Sequence, residues 1–227
     1  MKSKVLLVDD HPVVRFGLAN MIDAEPDLTV CGHAEDLGSA LEAITATNPD
    51  IVILDISLNG PSGLELLKLI RETDLNLRVL VLSMHDEMVY AERALHAGAN
   101  GYLMKQEATE TVLLALRRIL AGDIYVSEEV TRKVLERSSG GSSAAPRSPL
   151  DVLTDREMEV FRLTGEGRGT REISDQLHLS AKTIETYQAH IREKLGLRNA
   201  RELLQRAIQW NIAQGQRINK MRQARCS

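Results

Sequence analysis

The chain has only two cysteines in 227 residues, Cys31 in a strand-like run and Cys226 near the end. Cysteines so placed supply neither a disulfide framework nor a metal-binding spacing. Long apolar runs are also missing, and none approaches the roughly 18 residues a membrane span needs. The opening MKSKVLLVDD starts basic, but its apolar run stops after four residues at two aspartates. It is too short for the apolar region of a signal peptide and has no cleavage site. These absences lead us to expect a cytoplasmic chain with no membrane partner. What is present, 43% hydrophobic and 26% charged residues, suffices for a core in each of two domains.

Charge is shared unevenly. Residues 1–137 hold 13 Lys and Arg against 22 Asp and Glu, whereas residues 138–227 hold 15 against 10. The net charge of −4 therefore conceals an acidic first part and a basic second part, and the second suits a polyanionic partner. Between them runs SSGGSSAAPRSPL, residues 138–150, the single low-complexity stretch. Its Ser, Gly, Ala and Pro content, without apolar period, reads as a flexible linker.

Before the linker, short apolar runs alternate with longer segments of helical period. The runs are KVLLVD (4–9), LTVCGHA (28–34), DIVILD (50–55), RVLVLS (78–83) and GYLMK (101–105). Continuous apolar strands alternating with amphipathic helices predict a five-stranded parallel sheet covered on both faces. Gly98 and Gly122 stand where helices should end. Right-handed crossovers align the strands, so their carboxyl ends share one rim. The closing residues are then Asp9 and Asp10, Asp55, Ser83 and Lys105, which should converge on one crevice.

Three carboxylates in one crevice repel one another, by about 4 kcal/mol per pair at 4 Å and an effective dielectric near 20. A hard divalent cation with oxygen ligands would neutralise them, and Mg²⁺ fits best. Two uses follow. In one, Asp55 accepts a phosphoryl group, with Mg²⁺ held by Asp10, Asp55 and the Ser57 backbone carbonyl, and with Lys105 and Ser83 meeting the phosphoryl oxygens. In the other, the site is a Mg²⁺-dependent phosphohydrolase. A hydrolase of the haloacid-dehalogenase type places a second Asp two residues after its nucleophile, and Ser57 stands there instead.

VLLVDDHPVVR, DIVILDISLNGPSGLELL, VLVLSMHDE and GANGYLMK together resemble the receiver domain of bacterial two-component response regulators, over nearly all of residues 1–122. The resemblance implies a flavodoxin-like, doubly wound α/β sheet. It also implies Asp55 as phosphoacceptor, Asp9 and Asp10 as the acidic metal pocket, Ser83 and Tyr102 as switch residues and Lys105 as the phosphate-pairing lysine. Taken singly, Asp9 could cap a helix, and a strand-end serine or a half-buried tyrosine is ordinary. His11 and His85 border the crevice and are expected to be surface histidines. Two positions depart from the common pattern. Asn59 stands where many receivers carry proline, with Pro61 nearby, and Gln106 follows the lysine where many carry proline.

After the linker the strand pattern stops. Thr154 with Glu157 forms a capping-box pattern, Ser180 is a candidate N-cap, and Asn199 with Glu202 forms another pair. Four short helices are expected. On a helical wheel the third packs through Ile184, Ile191 and Leu195, with Tyr187 at the margin. Its other side presents Lys182, Glu185, Thr186, Ala189 and Glu193. Such a helix suits a major groove: Thr186 and Glu185 can reach base edges, and Lys182, Thr183 and Arg192 can reach phosphates. LTDREMEVFRLTGEGRGTREISDQLHLSAKTIETYQAHIREKLGL resembles the helix-turn-helix of the NarL/FixJ/LuxR class of transcription regulators. Tyr187 replaces a histidine common there.

The reading is therefore a receiver over 1–122, a linker over 123–150, a small all-α DNA-binding domain over 151–211 and a basic tail over 212–227. The linker has room for a helix at 127–137 and is flexible at 138–150. The tail is expected to be disordered and solvated. The expected function is a phosphorylation-switched transcription regulator, not an enzyme. A histidine kinase would supply the phosphoryl group, and an activated homodimer would bind a palindromic promoter site in DNA. The rival to that, besides the hydrolase, is a DNA-binding dimer indifferent to phosphorylation.

Overall fold

The structure, a computed structural model, describes residues 2–58, 62–84, 87–106, 109–132 and 149–225. It falls into two compact units, Met1–Ala144 and Ala145–Ser227.

The first unit alternates strand and helix: β1 (Ser3–Val8), α1 (Pro12–Asp23), β2 (Leu28–Ala34), α2 (Leu37–Thr47), β3 (Ile51–Leu54), α3 (Gly63–Thr73), β4 (Arg78–Ser83), α4 (Glu87–His96), β5 (Gly101–Met104) and α5 (Thr109–Leu120). The five strands are parallel, in the order β2-β1-β3-β4-β5. The apolar runs form strands because both sheet faces are covered. Val5, Leu7, Ile51, Ile53, Leu80, Leu82 and Leu103 pack on one face against α5 and the inner side of α1. Their neighbours Leu6, Val52, Leu54 and Val81 are equally buried, and a two-residue period turns them to the other face. Register sets the rim: Val8 pairs with Leu54 and Ser83 with Met104, so the following Asp9, Asp55 and Lys105 come level.

Gly98 (φ +101°) and Gly122 (φ +103°) end α4 and α5 in the left-handed region, as their positions predict. Beyond α5 the chain returns to the sheet edge, where Tyr125 bridges to Gly101, and a helical turn follows at 128–132. The rest of the expected helix at 127–137, and the linker over 138–148, lie outside the described residues. Residues 149–150, assigned to the linker, instead belong to a 3-10 turn, Pro149–Val152, with Leu150 buried.

The second unit has four helices: α6 (Asp155–Gly165), α7 (Thr170–Leu177), α8 (Ala181–Leu195) and α9 (Ala200–Arg225). Thr154 and Glu157 form the capping box that starts α6, and Ser180 caps α8. At α9 the pair is only half as expected. Asn199 Oδ1 accepts from the Glu202 N–H (3.0 Å), but the Glu202 carboxylate binds the backbone and guanidinium of Arg198. Phe161, Ile173, Ile184, Ile191, Leu203 and Ala207 form the core. A Cβ on Gly165 would lie 2.5 Å from the Ala207 carbonyl oxygen, so α6 and α9 meet this closely only with glycine there. The expected disordered tail is a correction: α9 runs on to Arg225. The segment has no proline and a single glycine, and extending a helix that tertiary packing has already nucleated is far easier than starting one.

Candidate functional site

The carboxyl rim of the sheet gathers charges from three strands. Asp9 follows β1, Asp55 follows β3 and Lys105 follows β5. The Lys105 ammonium lies 2.6 Å from Asp9 Oδ2 and 2.8 Å from Asp55 Oδ2, with all three side chains buried. Burial, with the neighbouring Asp9 charge adding to it, pushes the Asp55 carboxyl above the usual carboxylate range; the charge and hydrogen bond of Lys105 oppose this without cancelling it. Burial by itself would lower the Lys105 ammonium, but the Asp55 charge and the hydrogen bonds to Asp55 and Asp9 outweigh it and hold the lysine protonated.

The loop after β3 is pressed onto this rim. The Ser57 N–H donates to Asp55 Oδ1 (3.2 Å), and the Gly63 N–H donates to the Ile56 carbonyl (2.9 Å). A Cβ on Gly63 would sit 2.1 Å from the Asp55 carbonyl oxygen, which explains glycine at that position. Asn59 and Pro61 lie outside the described residues. No peptide bond is cis among the described residues, including Lys105–Gln106.

Ligand atoms of Asp9, Asp10, His11 and Asp55 all lie within 4.8 Å of one another. Asp10 Oδ1 is buried with no hydrogen bond among the described residues, and the His11 Nδ1 lies 2.6 Å from it. An orphaned carboxylate oxygen beside two further carboxylates is a donor set that fits a hard divalent cation. Sequence reasoning treated His11 as a surface residue. Its ring is indeed largely exposed, yet its backbone N–H donates to Asp9 Oδ1 (2.8 Å). Arg15 was missed: its guanidinium donates to the Asp9 carbonyl from one turn into α1, and position i+6 in VDDHPVVR carries the signal. His85 lies outside the described residues. Ser83 and Tyr102 are both fully buried, on β4 and β5, and Ser83 pairs in register beside Met104.

In the second unit, α7 and α8 are joined through His178 in the left-handed region (φ 52°) and the cap Ser180. The helix packs through Ile184 and Ile191, while Leu195 and Tyr187 are half-buried. Lys182, Glu185, Thr186, Ala189 and Glu193 are all exposed, and Thr183 and Arg192 are half-buried. Thr183 Oγ1 lies 2.7 Å from Ser180 Oγ, and Thr186 Oγ1 donates to the Lys182 carbonyl (3.0 Å). Arg192 Nε donates to the Gln188 carbonyl (3.3 Å). Lys194, which the wheel did not single out, binds the buried Glu157 carboxylate (2.6 Å) and ties α8 to the start of α6.

An acidic pocket and lysine on the rim of a parallel sheet, carried by the same chain as a helix-turn-helix, define a receiver coupled to a DNA-binding output. Residues 5–117 match the response regulator receiver domain, and residues 151–207 match the bacterial regulatory proteins of the luxR family. The chain belongs to the response regulators of this family, which are DNA-binding transcription regulators. It is 32% identical over 209 residues to oxygen regulatory protein NreC of Staphylococcus aureus, spanning 90% of this chain and 96% of that one. It is also similar to a LuxR-family response regulator from an Aurantimonas species (35% identity, TM-score 0.57, 62% of this chain and all of that one). Salmonella RcsB bound to the rprA promoter with a phosphomimetic is a third relative (28% identity, TM-score 0.59, 90% of this chain and 98% of that one). No described helix is long and apolar enough to cross a membrane.

Proposed function

We propose that Asp55 is the phosphoacceptor of a cytoplasmic switch that controls promoter binding by α8. The observation that carries this is the contact of Lys105 with both Asp55 and Asp9 at one rim. A histidine kinase presents a phosphohistidine; an Asp55 oxygen attacks phosphorus, and the phosphorus–nitrogen bond breaks. Asp9, Asp10, Asp55 and the Ser57 carbonyl would hold Mg²⁺, which when bound supplies positive charge against the phosphoryl oxygens. Lys105 holds one phosphoryl oxygen, and the Ser83 hydroxyl turns to donate to another. Tyr102, on the neighbouring strand, carries the readout to the surface of the sheet edge. Chemistry stops at the phosphoaspartate, so no turnover of external phosphate esters is expected.

The receiver spans 1–122 and the DNA-binding domain 151–211, with α9 prolonged through the basic segment beyond. Lys182, Thr183, Tyr187 and Arg192 contact phosphates, whereas Glu185, Thr186 and Ala189 face base edges. In one solved complex two RcsB dimers are bound to two parallel DNAs. By analogy, an activated homodimer of this chain reads a palindrome with two copies of α8 about one DNA turn apart. DNA-site selection on the full chain with and without beryllofluoride tests the whole reading. Enrichment of one palindrome, strengthened by beryllofluoride, is expected; identical selection in both arms would leave a DNA binder indifferent to phosphorylation.

A further inference from the structure

The segment after α5 is fastened to β5 and to α4 at two points that the sequence did not reveal. At the first, Tyr125 adds a single parallel bridge to the free edge of β5. Its N–H donates to the Asn100 carbonyl (2.9 Å), and its carbonyl accepts from the Tyr102 N–H (2.9 Å). Only glycine at position 101 allows this approach, because a Cβ there would lie 2.7 Å from the Tyr125 carbonyl oxygen. The Tyr125 side chain is half-buried against the core of the first unit. At the second point, the Ser127 N–H donates to the carboxylate of Glu87 (2.9 Å), the first residue of α4. The Ser127 hydroxyl then accepts from the Val130 N–H (3.2 Å), starting the turn at 128–132, and Val130 is buried.

Both anchors adjoin a switch group. Tyr102 lends its own N–H to the bridge. Glu87 follows Ser83 after three residues, so the start of α4 is close in sequence to the switch serine. Each anchor is also local: one bridge residue with its half-buried ring, and one backbone-to-carboxylate hydrogen bond beside the buried Val130, are easier to open than a full strand. We propose that residues 124–130 form a latch, closed on β5 and α4 in the unmodified chain and opened when a phosphoryl group on Asp55 draws in Ser83. This rests on the phosphoacceptor reading above. Opening frees the chain from Ile124 onward, since Ala121, Gly122 and Asp123 stay bonded to the end of α5, and so lengthens the tether to the DNA-binding unit.

Amide hydrogen exchange on the full chain tests it, with and without beryllofluoride and Mg²⁺. Occupancy of Asp55 is read separately by the block of acetyl-phosphate labelling. The Tyr125 and Ser127 amides should be protected in the unmodified chain and exchange about tenfold faster with beryllofluoride, the effect of losing one or two net hydrogen bonds. Unchanged exchange with Asp55 blocked overturns the latch and leaves the phosphoacceptor intact. Failure of beryllofluoride to block Asp55 overturns the reading beneath, and the latch with it. Glu87→Ala should speed Ser127 exchange without beryllofluoride, and Gly101→Ala should do the same at Tyr125. Parent-like protection at these amides in the folded variants overturns the latch.

Discussion

The Lys105 ammonium sits 2.8 Å from the Asp55 carboxylate, fifty positions away in sequence, with both groups buried. The same nitrogen also serves Asp9, at 2.6 Å. One buried cation therefore holds two buried carboxylates, and with Asp10 alongside the rim carries more negative than positive charge. Lys105→Ala strands both carboxylates. It should cost about 3–5 kcal/mol of receiver stability by urea unfolding, the usual penalty for removing one partner of a buried ion pair.

The excess of carboxylates also makes stability depend on a divalent cation. Mg²⁺ should stabilise the first unit against unfolding by about 1.4 kcal/mol at ten times its dissociation constant. Asp10→Asn should remove most of that gain, because Asp10 Oδ1 is the buried oxygen without a hydrogen bond. Calorimetric titration of the variant at parent-like affinity would place the ion elsewhere.

Asp55→Asn should abolish labelling by acetyl phosphate or a phosphorylated kinase while leaving the fold intact, since the amide keeps the shape and an acceptor for Lys105. Acid-labile phosphate persisting on the variant would remove Asp55 as acceptor.

The second unit has its own acid sensitivity. Glu157 is buried, and burial alone would raise its carboxyl, yet Lys194 and the Thr154 N–H outweigh this and hold it below the usual range. A depressed carboxylate stabilises fully above its unfolded value, about 4.3, and loses that contribution as pH falls through the folded value. Trp210, the sole tryptophan, stands edge-on to Phe161 at 6.0 Å and reports on this unit. Its fluorescence should show acid unfolding that Glu157→Gln flattens below about pH 4. Thr154→Ala should cost about 1 kcal/mol at neutral pH through the lost cap.

On DNA, Lys182→Ala should weaken binding evenly across sequences and lower the salt slope by about one counterion. Thr186→Ala should instead relax preference at one base position, by about 1–3 kcal/mol. Binding titrations over a salt series, on the preferred and scrambled sites, separate the two.

Strand positions were legible where a doubly covered parallel strand is apolar throughout, as in the run at 78–83 that is β4; the edge strand β2 at 28–34 is only partly buried and was legible from its shorter apolar run. Helix starts were legible wherever a cap closes locally, as at Thr154 and Ser180. Asn199 caps as expected, but the Glu202 half of the pair was misread because Arg198 competes for the same carboxylate, and no spacing rule ranks those partners. The length of α9 was misread because charged composition alone does not stop a helix that its own first turns have started.

The sequence by itself determined the strands, the caps and which polar residues end at the carboxyl rim, since these follow from local periodicity and crossover handedness. Only the tertiary structure decided that Lys105 divides itself between Asp9 and Asp55, that Asp10 keeps an unsatisfied oxygen, and that Tyr125 and Ser127 fasten onto β5 and α4. Those pairings join residues far apart in the chain. Their distances are fixed by strand register and by how closely glycine lets backbones approach, neither of which is written in any single stretch of residues.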